Sequence, residues 1–139
     1  MFRYERPQKG RLRQFKQFGI ECIGISDSMA DIEVISLGYE FLKKLDILGK
    51  ITLKINSLGD TNSRVNYRKV LIEYLNDYRS KLSEDSIKRL SENPLRILDS
   101  KNAVDQKILI DAPNVLDYLN EQSRERFENV CEGLNALKI

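Results

Sequence analysis

The apolar residues of the chain change their spacing near residue 57, and this change limits the folds that the chain can adopt. From residue 58 onward they recur three and four positions apart, as on one face of an α-helix. Ser83 stands where a helix N-cap is expected, and Pro94 ends the helix that follows. The stripe along 62–80 consists of Tyr67, Val70, Leu71, Tyr74, Leu75 and Tyr78. We therefore expect residues 58–139 to be mostly α-helical, with these stripes as core.

Residues 1–57 have a different pattern. Two strand-like segments, 2–5 and 14–25, flank a loop that contains a proline and a glycine, which predicts a β-hairpin. A helical stripe follows, and residues 51–57 then alternate apolar and polar side chains, as a half-buried strand does. The predicted fold class is α+β: a piece of antiparallel sheet with one packed helix, followed by the helical residues 58–139.

Basic charge is concentrated at the N-terminus. The net charge of the chain is only +2, yet residues 1–16 alone carry +5, with Glu5 as their one acidic residue. The basic residues of this stretch are Arg3, Arg6, Lys9, Arg11, Arg13 and Lys16. A local basic patch is typical of a site for a polyanion, either a nucleotide or an RNA backbone. A solvated basic loop is the other interpretation that the charge leaves open.

The composition excludes several classes of protein. With 41% hydrophobic and 32% charged residues the chain is globular, and it contains no apolar run long enough to cross a membrane. We see no secretory signal, so we expect a cytoplasmic location and no membrane partner. The chain has no histidine, and its two cysteines, Cys22 and Cys131, are far apart. This pattern predicts no metal site and places both thiols in the core.

Alternation along the hairpin sets several functional groups on one side. Residues two apart in a strand point the same way, so Arg3 and Glu5 share a side, as do Phe15, Gln17 and Glu21. A glycine between Gln17 and Glu21 removes one side chain and predicts the floor of a pocket. A buried Glu21 needs a cation or an N–H donor, which predicts a ligand of that kind. A solvated sheet face with cross-strand ion pairs is the alternative.

The same stretch resembles a known motif. The run FRYERPQKGRLRQFKQFGIE is similar to motif 2 of the class II aminoacyl-tRNA synthetases, in which a strand with fRxE precedes a loop and R-x-x-x-F. Here these elements are residues 2–5 and 11–15. ERPQ, GRLRQF, Gln17 and Glu21 resemble the histidine branch of the class. NSLGD, NPLRILDSK and DAPNVLDYL are similar to the segment that this branch inserts between motifs 2 and 3, so the resemblance covers nearly the whole chain.

The resemblance implies a division into domains. Residues 1–57 would be the motif 2 hairpin, a helix and a strand of an incomplete class II catalytic core. Residues 58–139 would be the helical insertion domain and the start of the return to the core. The sequence holds neither motif 1 nor motif 3 nor the anticodon-binding domain. We therefore expect the isolated chain to be catalytically incomplete and to need the remainder of the synthetase, which is a homodimer in the full-length family.

The resemblance also implies the contacts with ATP, which is expected to act with Mg²⁺. Arg3, the implied catalytic residue, would hold the α-phosphate and offset the charge that grows in the transition state. Glu5 would lie beside the adenine amino group. Arg11 would reach the γ-phosphate, and Phe15 would stack on the adenine ring.

The remaining implied contacts are with histidine and tRNA(His). Arg3 would first hold the carboxylate of histidine, and Gln17 would bind its polar backbone groups. Glu21 would accept a hydrogen bond from the imidazole and so favour histidine over isosteres that lack the donor. The implied contacts with tRNA are made by Lys9, Arg11 and Arg13. A non-catalytic module that binds the tRNA acceptor arm through phosphate contacts is the alternative function.

Overall fold

The structure is a computed structural model that describes all 139 residues, and its regular structure is almost entirely helical. The five α-helices are α1 (Ser28–Lys44), α2 (Thr61–Asp77), α3 (Glu84–Glu92), α4 (Ala103–Leu109) and α5 (Glu121–Ala136). Short 3₁₀ helices lie at Leu48–Lys50, Arg79–Lys81, Pro94–Ile97 and Val115–Tyr118. The helical character predicted for residues 58–139 is confirmed, and α1 is the helix predicted before residue 57.

Each α-helix begins at a polar residue that caps it. The side chain of the cap accepts a hydrogen bond from a backbone N–H of the first turn, which has no partner within the helix. Ser83 is the predicted cap of α3, and that helix ends at Glu92, before Pro94. The five caps are Asp27, Asp60, Ser83, Asn102 and Asn120.

The main hydrophobic core lies in the second part of the chain, around α2. Leu71 and Leu75 of α2 and Ile97 are fully buried. Burial of such side chains contributes about 1.5–3 kcal/mol each, so this core stabilises the short elements that pack on α2. The eight buried residues of this core are Tyr67, Leu71, Leu75, Leu82, Leu90, Ile97, Ile108 and Val115.

Helix α5 returns to pack on α1, near the start of the chain. Ile32 of α1 forms a small core with Val130 and Leu134 of α5. Gly133 allows the close approach, because a Cβ at this position would overlap the end of the Ile32 side chain. The two predicted domains are thus in contact through these helices, and the boundary between residues 57 and 58 remains a prediction.

The predicted antiparallel sheet is not formed. Residues 16–26 and 51–59 contain no strand, and the side chains of 51–56 are all exposed, so the predicted half-buried strand is absent. The backbone groups of a strand are paired only by a neighbouring strand, and neither segment has one in this structure. The two isolated antiparallel bridges join Phe2 with Gln14 and Gln8 with Arg11. The β part of the α+β prediction is therefore reduced to a short hairpin at the N-terminus.

The helices and the two cysteines differ from what a membrane span or a core thiol pair would require. None of the five α-helices combines the length and the apolar character that a membrane span requires. Cys22 is exposed and Cys131 is partly buried. The prediction that both thiols lie in the core was wrong, because Cys22 lies on the unpaired segment 16–26.

A buried carboxylate in α4 joins the start of α3 to the loop that precedes α4. Asp105 in α4 has no exposed surface and accepts four hydrogen bonds. Its donors are the Ser83 N–H at 2.9 Å and the hydroxyls of Ser83, Ser86 and Ser100 at 2.7, 2.7 and 2.6 Å. Burial alone raises the pKa of Asp105, but the hydrogen bonds from Ser100, Ser83 and Ser86 outweigh it and lower the pKa to about 2.

This lowered pKa sets the pH range in which Asp105 stabilises the fold. The ordinary pKa of the group is 3.8, so the folded chain binds this proton more weakly than the unfolded chain does. The carboxylate therefore contributes its full stabilisation above about pH 4. That contribution is lost as the pH falls toward about 2.

We expect Asp105→Asn to lower the free energy of unfolding at pH 7 by about 2–3 kcal/mol, because it replaces charge-assisted hydrogen bonds by neutral ones. The difference from the parent chain should shrink between pH 4 and pH 2. Urea unfolding at several pH values measures both effects. Asp99→Asn, at an exposed position with no hydrogen bond to its side chain, is the control. A stability of Asp105→Asn equal to the parent's at pH 7 would contradict the assigned role.

We expect amide hydrogen exchange to show where the hairpin ends. The Arg3 N–H donates to the Arg13 carbonyl at 2.9 Å and the Phe15 N–H to the Met1 carbonyl at 3.1 Å, so both should exchange more slowly than the amides of 17–25. Exchange followed by NMR gives the rate at each residue. Protection at alternate residues through 17–25 would show that the predicted second strand exists in solution.

Candidate functional site

The candidate site is built on a short hairpin of residues 1–15. The backbone N–H groups of Arg3 and Phe15 donate hydrogen bonds across the hairpin, and the N-terminal amino group donates one to the Phe15 carbonyl at 2.8 Å. The turn is closed by reciprocal backbone bonds between Gln8 and Arg11, at 2.9 and 3.3 Å. Gly10 in this turn has φ +78°, a left-handed conformation that glycine adopts without steric penalty. The bridge between Phe2 and Gln14 places the side chains of Arg3, Arg13 and Phe15 on one side of the hairpin.

Arg3 contacts two other residues of the predicted site. Its Cζ lies 4.9 Å from the centroid of the Phe15 ring, a cation–π arrangement. Its Nη2 donates a hydrogen bond to Oε1 of Gln17 at 3.4 Å. The long guanidinium side chain thus reaches past the last paired residue of the hairpin.

Glu5 is the one acidic residue of the hairpin. Its carboxylate forms an ion pair with the Nε of Arg11, and its side chain is 26% exposed. Arg13 Nε donates to the backbone carbonyl of Glu5 at 3.0 Å, and the Arg13 guanidinium lies 5.2 Å from the centroid of the Tyr4 ring. Arg13 therefore braces the first strand segment at Glu5.

Two predicted site residues lie outside this group. Glu21 is exposed and makes neither an ion pair nor a side-chain hydrogen bond, because it lies six residues beyond the end of the pairing at Phe15. Lys9 is exposed near the turn and is equally unpaired. A Cβ at Gly19 would meet open space. The pocket floor predicted between Gln17 and Glu21 is therefore not enclosed in this structure.

The hairpin offers a defined set of binding groups. The guanidinium groups of Arg3 and Arg11 can each bind a phosphate or carboxylate through paired N–H groups. The Phe15 ring is a stacking surface for a planar base. The Glu5 carboxylate accepts hydrogen bonds from an amino group. A ligand that combines a base with phosphates matches this set.

Two contacts in and near the site, made by Arg13 and by Arg126, were not predicted from the sequence. Arg13 could have been recognised as a brace, because the register places it opposite Arg3. Arg126 of α5 donates to Asp31 Oδ2 at 2.8 and 3.2 Å and to the Ser26 carbonyl at 2.7 Å. These partners are 95 and 100 positions away, so no local pattern indicates the contact. Arg126 ties the end of the segment that follows the hairpin to α5.

Comparison with known proteins places the chain in a family. The sequence family described as Histidyl-tRNA synthetase matches residues 1–110. Over all 139 residues the chain is 54% identical to the histidine–tRNA ligase of Lactococcus lactis subsp. cremoris and 52% identical to that of Rhodospirillum rubrum. It is also 52% identical over 138 residues to the histidine–tRNA ligase of Acholeplasma laidlawii. The chain belongs to the histidyl-tRNA synthetase family.

The family match covers both parts of this chain. It includes the hairpin and α1 to α4, and the relatives align with α5 as well. The chain spans about a third of the length of these relatives, 32–34%. By their names the relatives are ligases for histidine and tRNA, which belong to the aminoacyl-tRNA synthetases. The resemblance of the hairpin to a histidyl-tRNA synthetase motif is confirmed at the level of the family.

Proposed function

We propose that this chain is the part of a histidyl-tRNA synthetase that supplies the motif 2 contacts to ATP and histidine. The whole enzyme would activate histidine as histidyl-adenylate with ATP and transfer it to tRNA(His). One observation supports this proposal: within the short hairpin, Arg3 lies over the Phe15 ring and Arg11 pairs with Glu5. These are the groups that would bind the α-phosphate, the adenine amino group, the γ-phosphate and the adenine ring.

The chemistry of activation requires little from protein acids or bases. A carboxylate oxygen of histidine attacks the α-phosphorus of ATP, a C–O–P anhydride bond forms, and pyrophosphate leaves with the electrons of the broken P–O bond. Arg3 would hold the attacking carboxylate and the α-phosphate together and offset the negative charge of the transition state. The absence of histidine from the chain is compatible with this mechanism.

Mg²⁺ would enter as the complex with ATP, where it neutralises charge on the phosphates. No cluster of three or more cysteine and carboxylate side chains in the chain is arranged to hold a metal ion. We therefore assign no residue of this chain as a resident metal ligand. Arg3 and Arg11 would provide the positive charge that the protein itself contributes to the phosphates.

Gln17 and Glu21 would bind histidine once a neighbouring strand pairs with the segment that carries them. Arg3 already contacts Gln17, whereas Glu21 is exposed on an unpaired segment. The chain by itself therefore does not hold the histidine contacts in place, and we propose that it is inactive alone and works with the remainder of a dimeric, cytoplasmic enzyme. Histidine-dependent exchange of pyrophosphate into ATP by the isolated chain would contradict this part of the proposal.

We expect Phe15→Ala to weaken binding of Mg·ATP to the chain by about 1–3 kcal/mol, the range measured for loss of a base–aromatic stack. Isothermal titration calorimetry gives the affinity. Phe18→Ala is the matched control, because Phe18 stacks on Phe41 of α1, 4.8 Å between ring centroids, away from the Arg3 contact. Equal affinities of the parent and Phe15→Ala would argue against adenine stacking on this ring.

A non-catalytic module that binds the tRNA acceptor arm is the second candidate, favoured by the exposed and unpaired Lys9. Under either function, Lys9, Arg11 and Arg13 would contact phosphates of tRNA(His). For the module we expect tRNA binding to weaken steeply with salt, with a slope of about 0.7–0.9 per phosphate contact. Filter binding at several salt concentrations measures it.

The double variant Arg11→Gln, Arg13→Gln separates the two candidate functions. If the chain is a tRNA module, the variant loses tRNA binding, and Mg·ATP binds neither the parent nor the variant. If the hairpin is part of a synthetase site, Mg·ATP binds the parent and the variant binds it more weakly. Unchanged tRNA binding by the variant at every salt concentration would exclude the module.

A further inference from the structure

We propose that the unliganded site is self-paired, so that ATP binds by exchanging two internal contacts of the hairpin for contacts of its own. This inference rests on the proposed function of the hairpin as a nucleotide site. In the structure, each charged group proposed for ATP is occupied by another group of the same site. The two contacts are the Arg3–Phe15 stack and the Arg11–Glu5 ion pair.

The first contact covers the surface proposed for adenine. The Arg3 guanidinium lies 4.9 Å from the centroid of the Phe15 ring, on a face where a base would stack. The same guanidinium is the group proposed for the α-phosphate. Movement of Arg3 from the ring to a phosphate would therefore expose the Phe15 ring for stacking and pair the guanidinium with an anion.

The second contact pairs the two protein groups that are proposed to bind opposite ends of ATP. Arg11 is proposed for the γ-phosphate and Glu5 for the adenine amino group, yet the two side chains are paired with each other. A ligand that carries both a base and phosphates replaces both partners of this pair. A base without phosphates leaves Arg11 unpaired, and phosphates without a base leave Glu5 unpaired.

The solvent exposure of the Arg11–Glu5 ion pair determines how strongly it competes with a ligand. The side chain of Arg11 is 57% exposed and that of Glu5 is 26% exposed. Ion pairs of this kind are weak because water screens them. Release of Glu5 from Arg11 should therefore change ligand affinity by about twofold to fivefold, and the contact should open readily when ATP arrives.

The experiment compares adenosine, inorganic tripolyphosphate and Mg·ATP on three chains by NMR titration: the parent, Arg11→Met and Arg6→Met. We expect Arg11→Met to bind adenosine about twofold to fivefold more tightly than the parent, because Glu5 is released. Tripolyphosphate should bind it more weakly. Adenosine is uncharged, so loss of a positive charge does not itself favour it. Arg6→Met is the control for charge, because Arg6 is exposed in the same loop and makes no ion pair.

A measurement without ligand tests the pairing itself. Glu5→Gln should shift the Nε–Hε resonance of Arg11, whereas Glu33→Gln, on α1, should leave it in place. An unchanged Arg11 resonance in Glu5→Gln would overturn the self-pairing.

The remaining outcomes separate this inference from the proposed function. If Mg·ATP binds the parent and adenosine binds Arg11→Met no more tightly than the parent, the self-pairing is wrong and the nucleotide site stands. If neither Mg·ATP binds the parent nor adenosine binds Arg11→Met, the hairpin is not a nucleotide site, and both proposals are overturned.

Discussion

Backbone hydrogen bonding decides which parts of this chain are ordered by their own sequence. A helix pairs its N–H and C=O groups within a few residues, and its first turn needs only a cap, which every α-helix here has. An extended segment has no such local solution and depends on a neighbour. The elements from α2 to the 3₁₀ helix at Val115–Tyr118 therefore form a helical unit around α2, and α5 packs on α1. Segments 16–26 and 51–59 have strand-like sequences without strand pairing.

This difference explains why only part of the candidate site is held in place by backbone pairing. The residues proposed for the nucleotide lie on the one extended part that does find a partner, the hairpin of residues 1–15. Gln17 and Glu21, proposed for histidine, lie beyond the end of that pairing, and only Gln17 is still within reach of Arg3. The α1–α5 packing and the Arg126 contacts fix the far end of the segment that carries Glu21. Between these two fixed ends the backbone of residues 16–25 lacks a pairing strand.

The sequence predicted local features well and distant ones poorly. The stripe of Tyr67, Leu71 and Leu75, the Ser83 cap and the basic hairpin all follow from residues close in the chain, where periodicity and capping rules apply. The hydrogen bonds from Ser83 and Ser86 to Asp105 and the contact of Arg126 with Asp31 join residues that no local pattern relates. The predicted sheet failed for a related reason, because alternation along 14–25 and 51–57 shows that a strand is compatible with the sequence but not that a neighbour is present.

We infer that Arg3, Glu5, Arg11 and Phe15 of the hairpin bind ATP together. Addition of Mg·ATP to the labelled chain can be followed through the arginine Nε–Hε and phenylalanine ring resonances. We expect the signals of Arg3, Arg11 and Phe15 to shift together along one binding curve, while those of Phe18 and of α2 to α4 stay in place. Shifts that follow separate curves, or no shift at these three residues at saturating ATP, would contradict it.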